Sequence, residues 1–398
     1  MGEYRVIDGA GEFEQAVAAI AAGEGPVAVD AERASGFRYS QRAYLIQVFR
    51  RGAGVFLFDP PAIGGFASLQ AAIGEEEWVL HAASQDLACL REVGLDPARI
   101  FDTELAARLL GLPRVGLGPV VEELLGVHLK KEHSAADWST RPLPQAWLEY
   151  AALDVELLVD VRDAMAKRLV AARKTGIAGA EFEAVLRKEP KPAAADPWRR
   201  LSGLSSIRSP RQLAIARELW LERDRLAVEL DLAPGRLVPD SSLLAAAKAQ
   251  PRARRELADL RAFTGRASRS ELDRWWAAVQ RGIAETQLPP MRVPSEGPPP
   301  HRGWAHRHPD ADARLRTARP AVQAAADVLG MPTENLLTPD HLRRVAWQPP
   351  QPADAEHIGA ALAALGARDW QIAATAQIIA ASFVEAEQAL MDAESDPS

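Results

Sequence analysis

Along the first hundred residues, short continuous apolar runs alternate with stretches in which apolar positions recur every three or four residues. Short runs rich in β-branched and aromatic residues favour strands, and the longer spacing favours helices. The run Val27-Ala28-Val29-Asp30-Ala31-Glu32, which follows Gly25-Pro26, predicts a buried central strand that ends in two carboxylates. Further strands are predicted at 4–7, 43–49, 55–59, 78–81 and 100–102, and helices at 12–22, 67–73 and 84–93. Strands mixed with helices in this way predict a three-layer α/β domain with a mixed sheet.

After residue 103 the apolar spacing is helical almost throughout, with two interruptions. Residues 187–197 contain three prolines among mixed charges, and residues 287–303 are also rich in proline, so both stretches indicate linkers. The second linker favours an extended polyproline segment. The predicted organisation is an α/β domain at 1–190, a small all-α domain at 200–286, a Pro-rich linker at 287–304 and a second small all-α domain at 305–392.

The composition is that of an ordinary globular protein, with 398 residues, 47% hydrophobic and 25% charged. The single cysteine, Cys89, excludes internal disulfides and cysteine-based zinc sites. The N-terminus lacks a basic segment followed by an apolar run, and no window approaches the roughly 18 apolar residues of a membrane span. We therefore expect a cytoplasmic protein with no membrane partner.

The net charge of −7 is unevenly distributed along the chain. Residues 196–290 carry 17 Arg or Lys against 12 Asp or Glu, which leaves this segment at about +5. A basic segment in an acidic chain is the electrostatic candidate for binding phosphates, although a solvated helical domain carries such a charge as well.

Asp30 and Glu32 project from the same face of their strand, because successive side chains alternate between faces. At an effective dielectric of about 20, two carboxylates roughly 4 Å apart repel by about 4 kcal/mol. A bound cation removes that cost, and carboxylate oxygens suit Mg²⁺ or Mn²⁺. The pair is a candidate half of a metal site, but solvated strand ends show the same pattern.

Two further motifs place acids on helices. Asp86 is predicted at the start of a helix directly after a strand, where the helix dipole alone would favour a carboxylate. Tyr150 and Asp154 lie one helical turn apart and can reach one point, or they can be a half-buried aromatic beside a surface acid.

The ordered set of a strand Asp-x-Glu, a helix-start Asp and a Tyr-x-x-x-Asp on a later helix resembles the DEDD family of 3′–5′ exonucleases. The tyrosine places the chain in the tyrosine subclass, since the histidine subclass has His at the position of Glu149. Within that family the chain resembles bacterial ribonuclease D. The matching stretches cover residues 4 to about 170: 27–32, 43–47, 81–87, 101–103, 137–143 and 150–155.

The resemblance implies a ribonuclease H-like fold with a mixed sheet for the first domain. Residues 205–285 resemble an HRDC domain, the small helical module shared by ribonuclease D and RecQ helicases. The all-α domain at 305–392 is expected to be a second HRDC-like module, although it departs further from that pattern.

The resemblance also implies the chemistry of the site. Four acids would bind two divalent cations, Mg²⁺ or Mn²⁺, which activate water and stabilise the attacking and leaving oxygens: Asp30, Glu32, Asp86 and Asp154. Tyr150 would orient the attacking water, because its ordinary pKa near 10 makes the phenol a hydrogen-bonding group rather than a base at neutral pH. Four cationic side chains near these motifs are candidates to contact the substrate, although solvated charges show the same pattern: Arg33, Arg42, Lys131 and Arg141.

The function that the resemblance implies is a monomeric exoribonuclease that trims 3′ ends of structured RNA, such as tRNA precursors, and releases nucleoside 5′-monophosphates. The HRDC-like modules would hold the substrate. Two alternatives stay open. A DNA 3′–5′ exonuclease uses the same carboxylates, because discrimination depends on 2′-hydroxyl contacts that spacing does not reveal. A catalytically silent nucleic-acid-binding scaffold would usually lack at least one of the acids.

Overall fold

A computed structural model describes residues 4–129, 133, 135–189, 192, 194–293 and 297–395. The strands of the N-terminal domain are β1 (Val6–Ile7), β2 (Glu24–Arg33), β3 (Ala43–Arg51), β4 (Gly54–Phe58), β5 (Glu77–Leu80) and β6 (Arg99–Asp102). They form one sheet in the order β1-β4-β3-β2-β5-β6. Since β2 pairs antiparallel with β3 and parallel with β5, the sheet is mixed and β2 lies inside it. The predicted mixed sheet with a central β2 strand is confirmed.

The helices of this domain are α1 (Ala10–Ala21), α2 (Pro60–Ile63), α3 (Ala67–Ile73), α4 (Leu87–Glu92), α5 (Thr103–Leu109), α6 (Leu117–Leu125), α7 (Gln145–Glu156), α8 (Leu158–Ala171) and α9 (Thr175–Leu186). The two faces of β2 bury different clusters. Val29 joins the core formed with α1, whereas Ala28 packs with Val155 of α7. Because strand side chains alternate, Asp30 and Glu32 share the face of Ala28 and point towards α7.

The second domain consists of α10 (Pro210–Leu230), α11 (Pro234–Leu237), α12 (Asp240–Ala249), α13 (Arg254–Asp259) and α14 (Leu272–Ala284). Helix α10 starts at Pro210, after Ser209, whose side chain accepts a hydrogen bond from the amide of Gln212. Helices α10 and α14 pack closely because Gly282 has no side chain. A Cβ at that position would lie 2.5 Å from the Cα of Ile215.

The third domain consists of α15 (Trp304–Arg307), α16 (Pro309–Val328), α17 (Thr333–Leu336), α18 (Pro339–Trp347), α19 (Ala355–Ala364) and α20 (Asp369–Ser395). Like the second domain, it has a long helix, α16, followed by a four-residue helix, and its last helix packs against the long one. Whether it is a second HRDC-like module stays a prediction. In the described residues, no helix combines the length and the apolar character needed to cross a bilayer.

The third domain packs directly on the first, and its apolar core is continuous with the core beneath the sheet. The Lys174 ammonium bridges the two domains by donating to the carbonyls of Leu109 at 2.5 Å and Gly330 at 3.1 Å. Beside it, Arg368 forms an ion pair with the buried Glu181, with 2.6 Å from Nε to Oε1. These contacts hold the third domain against the face of the first that carries α5 and α9.

The second domain binds a loop that directly follows β2, residues 34–42, which we call the docking loop. Asp231, at the end of α10, accepts hydrogen bonds from the amide of Ser40 at 2.9 Å and from the hydroxyl of Tyr44 at 3.1 Å. Arg236 of α11 donates to a backbone carbonyl of the loop at 2.6 Å. The strand that carries the first two acids is therefore tied to the second domain through its own loop.

Candidate active site

A cavity of about 550 Å³ lies where the carboxyl end of β2 meets α7. It contains all five side chains that the sequence patterns single out for chemistry: Asp30, Glu32, Asp86, Tyr150 and Asp154. The strand period places the first two acids on one face, and the helix period places Tyr150 and Asp154 on one side of α7. Residues that are far apart in the sequence therefore share one cavity.

The carboxylates of Asp30, Glu32 and Asp154 form a compact cluster. One oxygen from each lies within 4.8 Å of the others, and the three side chains are partly buried. Such a group of hard oxygen donors, close enough to share one ligand, fits a divalent cation of the Mg²⁺ or Mn²⁺ type. The chemistry of these side chains therefore suits the metal that the resemblance implies.

Asp86 reaches the cavity from the turn between β5 and α4. It occupies the N-cap position of α4, but its side chain makes no capping hydrogen bond. The turn before it is held by Asp102, whose carboxylate accepts from the amides of Ala82 at 3.1 Å and Ala83 at 2.9 Å. Arg33, directly after Glu32 on β2, approaches Asp86 to 3.7 Å. Asp86 thus faces the other acids and not its own helix.

Burial is the main electrostatic influence on the four acids. It raises the pKa of Asp30 to about 6, and that of Asp86 and of Asp154 to about 8, the last two also because they lie near the Asp30 carboxylate. Burial and the three other carboxylates raise the pKa of Glu32 to about 10. Without a cation, the site therefore holds protons at pH 7 that free carboxylic acids would have lost.

Tyr150 lies beside the acids with its hydroxyl towards Asp154. Burial, followed by the carboxylates of Asp154 and Glu32, raises the pKa of Tyr150 above its ordinary value. Its hydrogen bond with Asp154 favours the ionised form of that acid. The phenol therefore keeps its proton at physiological pH and can donate a hydrogen bond.

The stretch 137–143 forms the support on which Tyr150 rests. Trp138 is fully buried, and its ring lies 6.4 Å from that of Tyr150. Arg141 holds the stretch in place, because its Nε donates to the carboxylate of Asp59 at 2.6 Å and its Nη1 donates to the carbonyl of Trp138 at 2.8 Å. Its Nη2 donates to the carbonyl of Tyr44 at 2.8 Å.

The four predicted substrate-binding cations have different positions. Arg33 lines the cavity. Arg42 and Arg141 are not among the described lining residues: Arg42 lies 3.7 Å from Asp231 of the second domain, and Arg141 makes the supporting contacts above. Lys131 lies outside the described residues. Substrate contacts by these side chains stay predictions.

The sequence patterns did not identify a second part of the cavity wall. His81, Gln85 and Glu104 line this wall together with apolar and glycine positions of α6 and its neighbours: Gly116, Leu117, Gly118, Leu129 and Leu158. One signal was available, since His81 opens the stretch 81–87 that ends in Asp86 and its neighbour. The other wall residues come from segments without a distinctive pattern.

Three known protein families match separate parts of the chain. Residues 4–170 match the 3′–5′ exonuclease family, and residues 212–279 match the HRDC domain. Residues 297–383 match a separate family described as the 3′ to 5′ exonuclease C-terminal domain.

Curated relatives give the same result over a longer alignment. Ribonuclease D of Pseudomonas paraeruginosa is 31% identical over 263 residues, which cover 65% of this chain and 67% of the relative. The chain belongs to the ribonuclease D family. Ribonuclease D of Escherichia coli is 33% identical over 59% of this chain, and this alignment spans 63% of the relative's length.

Solved structures extend the similarity to nearly the whole chain. A protein from Bifidobacterium adolescentis has a TM-score of 0.88 and 37% identity, covering 96% of this chain and 97% of that one. Escherichia coli RNase D, described as an exoribonuclease involved in structured RNA processing, has a TM-score of 0.66 and 26% identity, with 92% and 98% coverage. The predicted resemblance to ribonuclease D, the exonuclease fold and the HRDC domain are confirmed.

Proposed function

We propose that this chain is a 3′–5′ exoribonuclease that shortens structured RNA, tRNA precursors among it, by one nucleotide at a time. Water attacks the last phosphodiester, the bond from phosphorus to the preceding 3′-oxygen breaks, and a nucleoside 5′-monophosphate leaves. Two divalent cations, Mg²⁺ or Mn²⁺, would bind to Asp30, Glu32, Asp86 and Asp154. The proposed setting is a monomer in the cytoplasm.

The observation that carries the proposal is the convergence of four acids and one tyrosine on a single cavity. A silent nucleic-acid-binding scaffold has no need of three partly buried carboxylates within 4.8 Å of one another. Such a cluster costs folding free energy when it is ionised, and a bound cation offsets that cost. The cluster therefore favours an active enzyme over a scaffold.

Each of the site residues would have its own role in phosphodiester hydrolysis. Divalent cations at the four acids supply charge that stabilises the attacking and leaving oxygens of an in-line displacement. Tyr150, protonated beside Asp154, orients the attacking water through its hydroxyl. Arg33, in the cavity wall, supplies positive charge for the phosphate that enters beside Asp86.

Comparing matched RNA and DNA oligonucleotides, each with Mg²⁺, Mn²⁺ or EDTA, tests the proposal. We expect metal-dependent release of nucleoside 5′-monophosphates from RNA and slower release from DNA. Faster degradation of DNA would favour the DNA exonuclease alternative. Metal-dependent binding without any product would instead support the silent scaffold.

Replacing Tyr150 with phenylalanine is expected to lower kcat on RNA by about a hundredfold, because the ring stays while the water loses its orienting hydroxyl. Cation binding should be unchanged, since the four acids are intact. Steady-state kinetics and a Mn²⁺ titration measure the two effects. Tyr4→Phe is a matched control, since Tyr4 packs on the same apolar cluster as Tyr150 but does not line the cavity. Unchanged kinetics in Tyr150→Phe would remove this residue from the mechanism.

A further inference from the structure

His81 is a polar residue in the cavity wall that the proposed reaction does not use. Its Nδ1 lies 2.9 Å from the hydroxyl oxygen of Thr103, at the start of α5. That hydroxyl is fully buried and donates its hydrogen to the carbonyl of Leu80 at 3.1 Å. Because a hydroxyl has only one hydrogen to donate, the Thr103 oxygen must accept from His81, which places the imidazole hydrogen on Nδ1.

The other ring nitrogen, Nε2, therefore carries a lone pair and no hydrogen. Among the described residues, none donates a hydrogen bond to it. Burial lowers the pKa of His81 to about 4, while the nearby Glu104 and Arg108 act on it in opposite directions. The ring is neutral at physiological pH, so Nε2 is available in the cavity as a hydrogen-bond acceptor.

A nucleotide bound in the cavity can supply the donor for this acceptor in place of water. Donors on the bases differ from one base to the next, and an enzyme that removes every nucleotide in turn cannot depend on them. Ribose hydroxyls are common to all four nucleotides, and the 2′-hydroxyl is the donor that RNA has and DNA lacks. A buried acceptor that pairs with a substrate hydroxyl also discriminates against the analogue without it, since the acceptor then stays unpaired.

We propose that Nε2 of His81 accepts a hydrogen bond from the ribose 2′-hydroxyl of a nucleotide bound in the cavity, and that this contact makes the site prefer RNA to DNA. Thr103 is a positioning residue, because it fixes which ring nitrogen carries the hydrogen. The stretch 101–103 thus has two roles around this wall: Asp102 holds the turn at Ala82, and Thr103 orients the imidazole. The proposal rests on the proposed function, since it assumes that a nucleotide occupies this cavity.

The test uses the full chain and four RNA oligonucleotides of one sequence. The first is unmodified, two carry a single 2′-deoxy sugar at the last or the penultimate nucleotide, and one ends in a 3′-deoxy nucleotide. In the wild type, one of the two 2′-deoxy substitutions should lower kcat/KM by about 3- to 10-fold. His81→Phe should lower kcat/KM on unmodified RNA by about the same factor and show no further loss with the 2′-deoxy substrate.

Thr103 supplies a second pair of variants. Thr103→Val keeps the shape but removes the oxygen, so it should weaken the discrimination between ribose and 2′-deoxyribose. Thr103→Ser retains the oxygen and should restore it. A merely structural role for these residues would change both substrates equally and leave their ratio unchanged.

Three results would overturn the proposal: equal loss on all four substrates in His81→Phe, an undiminished 2′-deoxy effect in that variant, or coupling to the 3′-deoxy substrate instead. Calorimetric titration with 5′-AMP and 5′-dAMP gives a readout without turnover, and equal affinities in the wild type would also contradict it. Failure of the proposed function would give a different result. A wild-type protein that degrades neither RNA nor DNA would contradict the proposed function, but the titration would still show whether the cavity prefers the nucleotide with a 2′-hydroxyl.

Discussion

Replacing Asp30 with asparagine is expected to reduce RNA cleavage by at least about a thousandfold while the protein stays folded. Asp30 is the acid whose charge acts on each of the three others, so its loss removes a central cation ligand. The amide has nearly the same shape, and removing a buried charge relieves repulsion. We therefore expect the melting temperature without metal to equal or exceed that of the wild type.

Two measurements check this expectation: single-turnover cleavage of a labelled RNA, and thermal unfolding in EDTA. Asp96→Asn is a matched control, because the Asp96 side chain is 60% exposed and pairs with Arg91 away from the cavity. Near-wild-type cleavage by a folded Asp30→Asn protein would refute the assignment of the active site.

The second large effect concerns pH and metal. In the metal-free protein, the free energy of unfolding is expected to fall as the pH rises from about 5 to about 9. Each of the four acids has a higher pKa in the folded protein, with values from about 6 for Asp30 to about 10 for Glu32. The folded state therefore keeps protons that the unfolded chain has released, and stability decreases as the pH rises wherever this difference persists.

Divalent cations should reverse this trend, because they bind the deprotonated acids and compensate their charge. The increase in melting temperature on adding Mg²⁺ or Mn²⁺ should grow with pH over the same range. Denaturant unfolding at several pH values, with EDTA or with metal, measures both effects. The variant carrying Asp30→Asn and Asp154→Asn should lose most of the stabilisation by metal but only part of the pH dependence, because Glu32 and Asp86 stay buried. A wild-type protein whose stability depends on neither pH nor metal would contradict the assignment of these acids as a cation site.

The sequence predicts those parts of the site that depend on the periodicity of a single strand or helix. Alternation along β2 places Asp30 and Glu32 on one face, and one helical turn separates Tyr150 from Asp154. That these acids meet in one site is implied by the resemblance of their order to the DEDD family. Asp86 was harder to assign, because a helix-start acid is also favoured by the dipole, and only the tertiary structure shows its side chain turned towards the cavity.

The tertiary partners of the cationic residues could not be predicted from local sequence patterns. Arg42 and Arg141 were expected at the substrate because they lie near catalytic motifs in the sequence. In the fold, Arg42 approaches Asp231, and Arg141 binds Asp59. Both partners belong to distant segments of the chain, so no local pattern shows which carboxylate each arginine approaches. The sequence also does not identify His81 as a site residue, because the orientation of its ring depends on a contact with Thr103 in another segment.

The hydrogen bonds that Asp231 accepts from Ser40 and Tyr44 affect how an isolated catalytic domain should behave. A catalytic domain expressed without the second domain would keep all four acids. Ser40 and Tyr44 would lose their hydrogen-bond acceptor, Asp231. The ring of Phe37 would lose its contact with the Arg236 guanidinium, which lies 3.9 Å from it. The docking loop would then be held by its contacts within the first domain, such as the hydrogen bond from Nε of Arg38 to Oγ of Ser139 at 2.8 Å. Weak activity in such a fragment would therefore have two possible causes. One is a less ordered end of β2, and the other is the loss of RNA binding by the second domain.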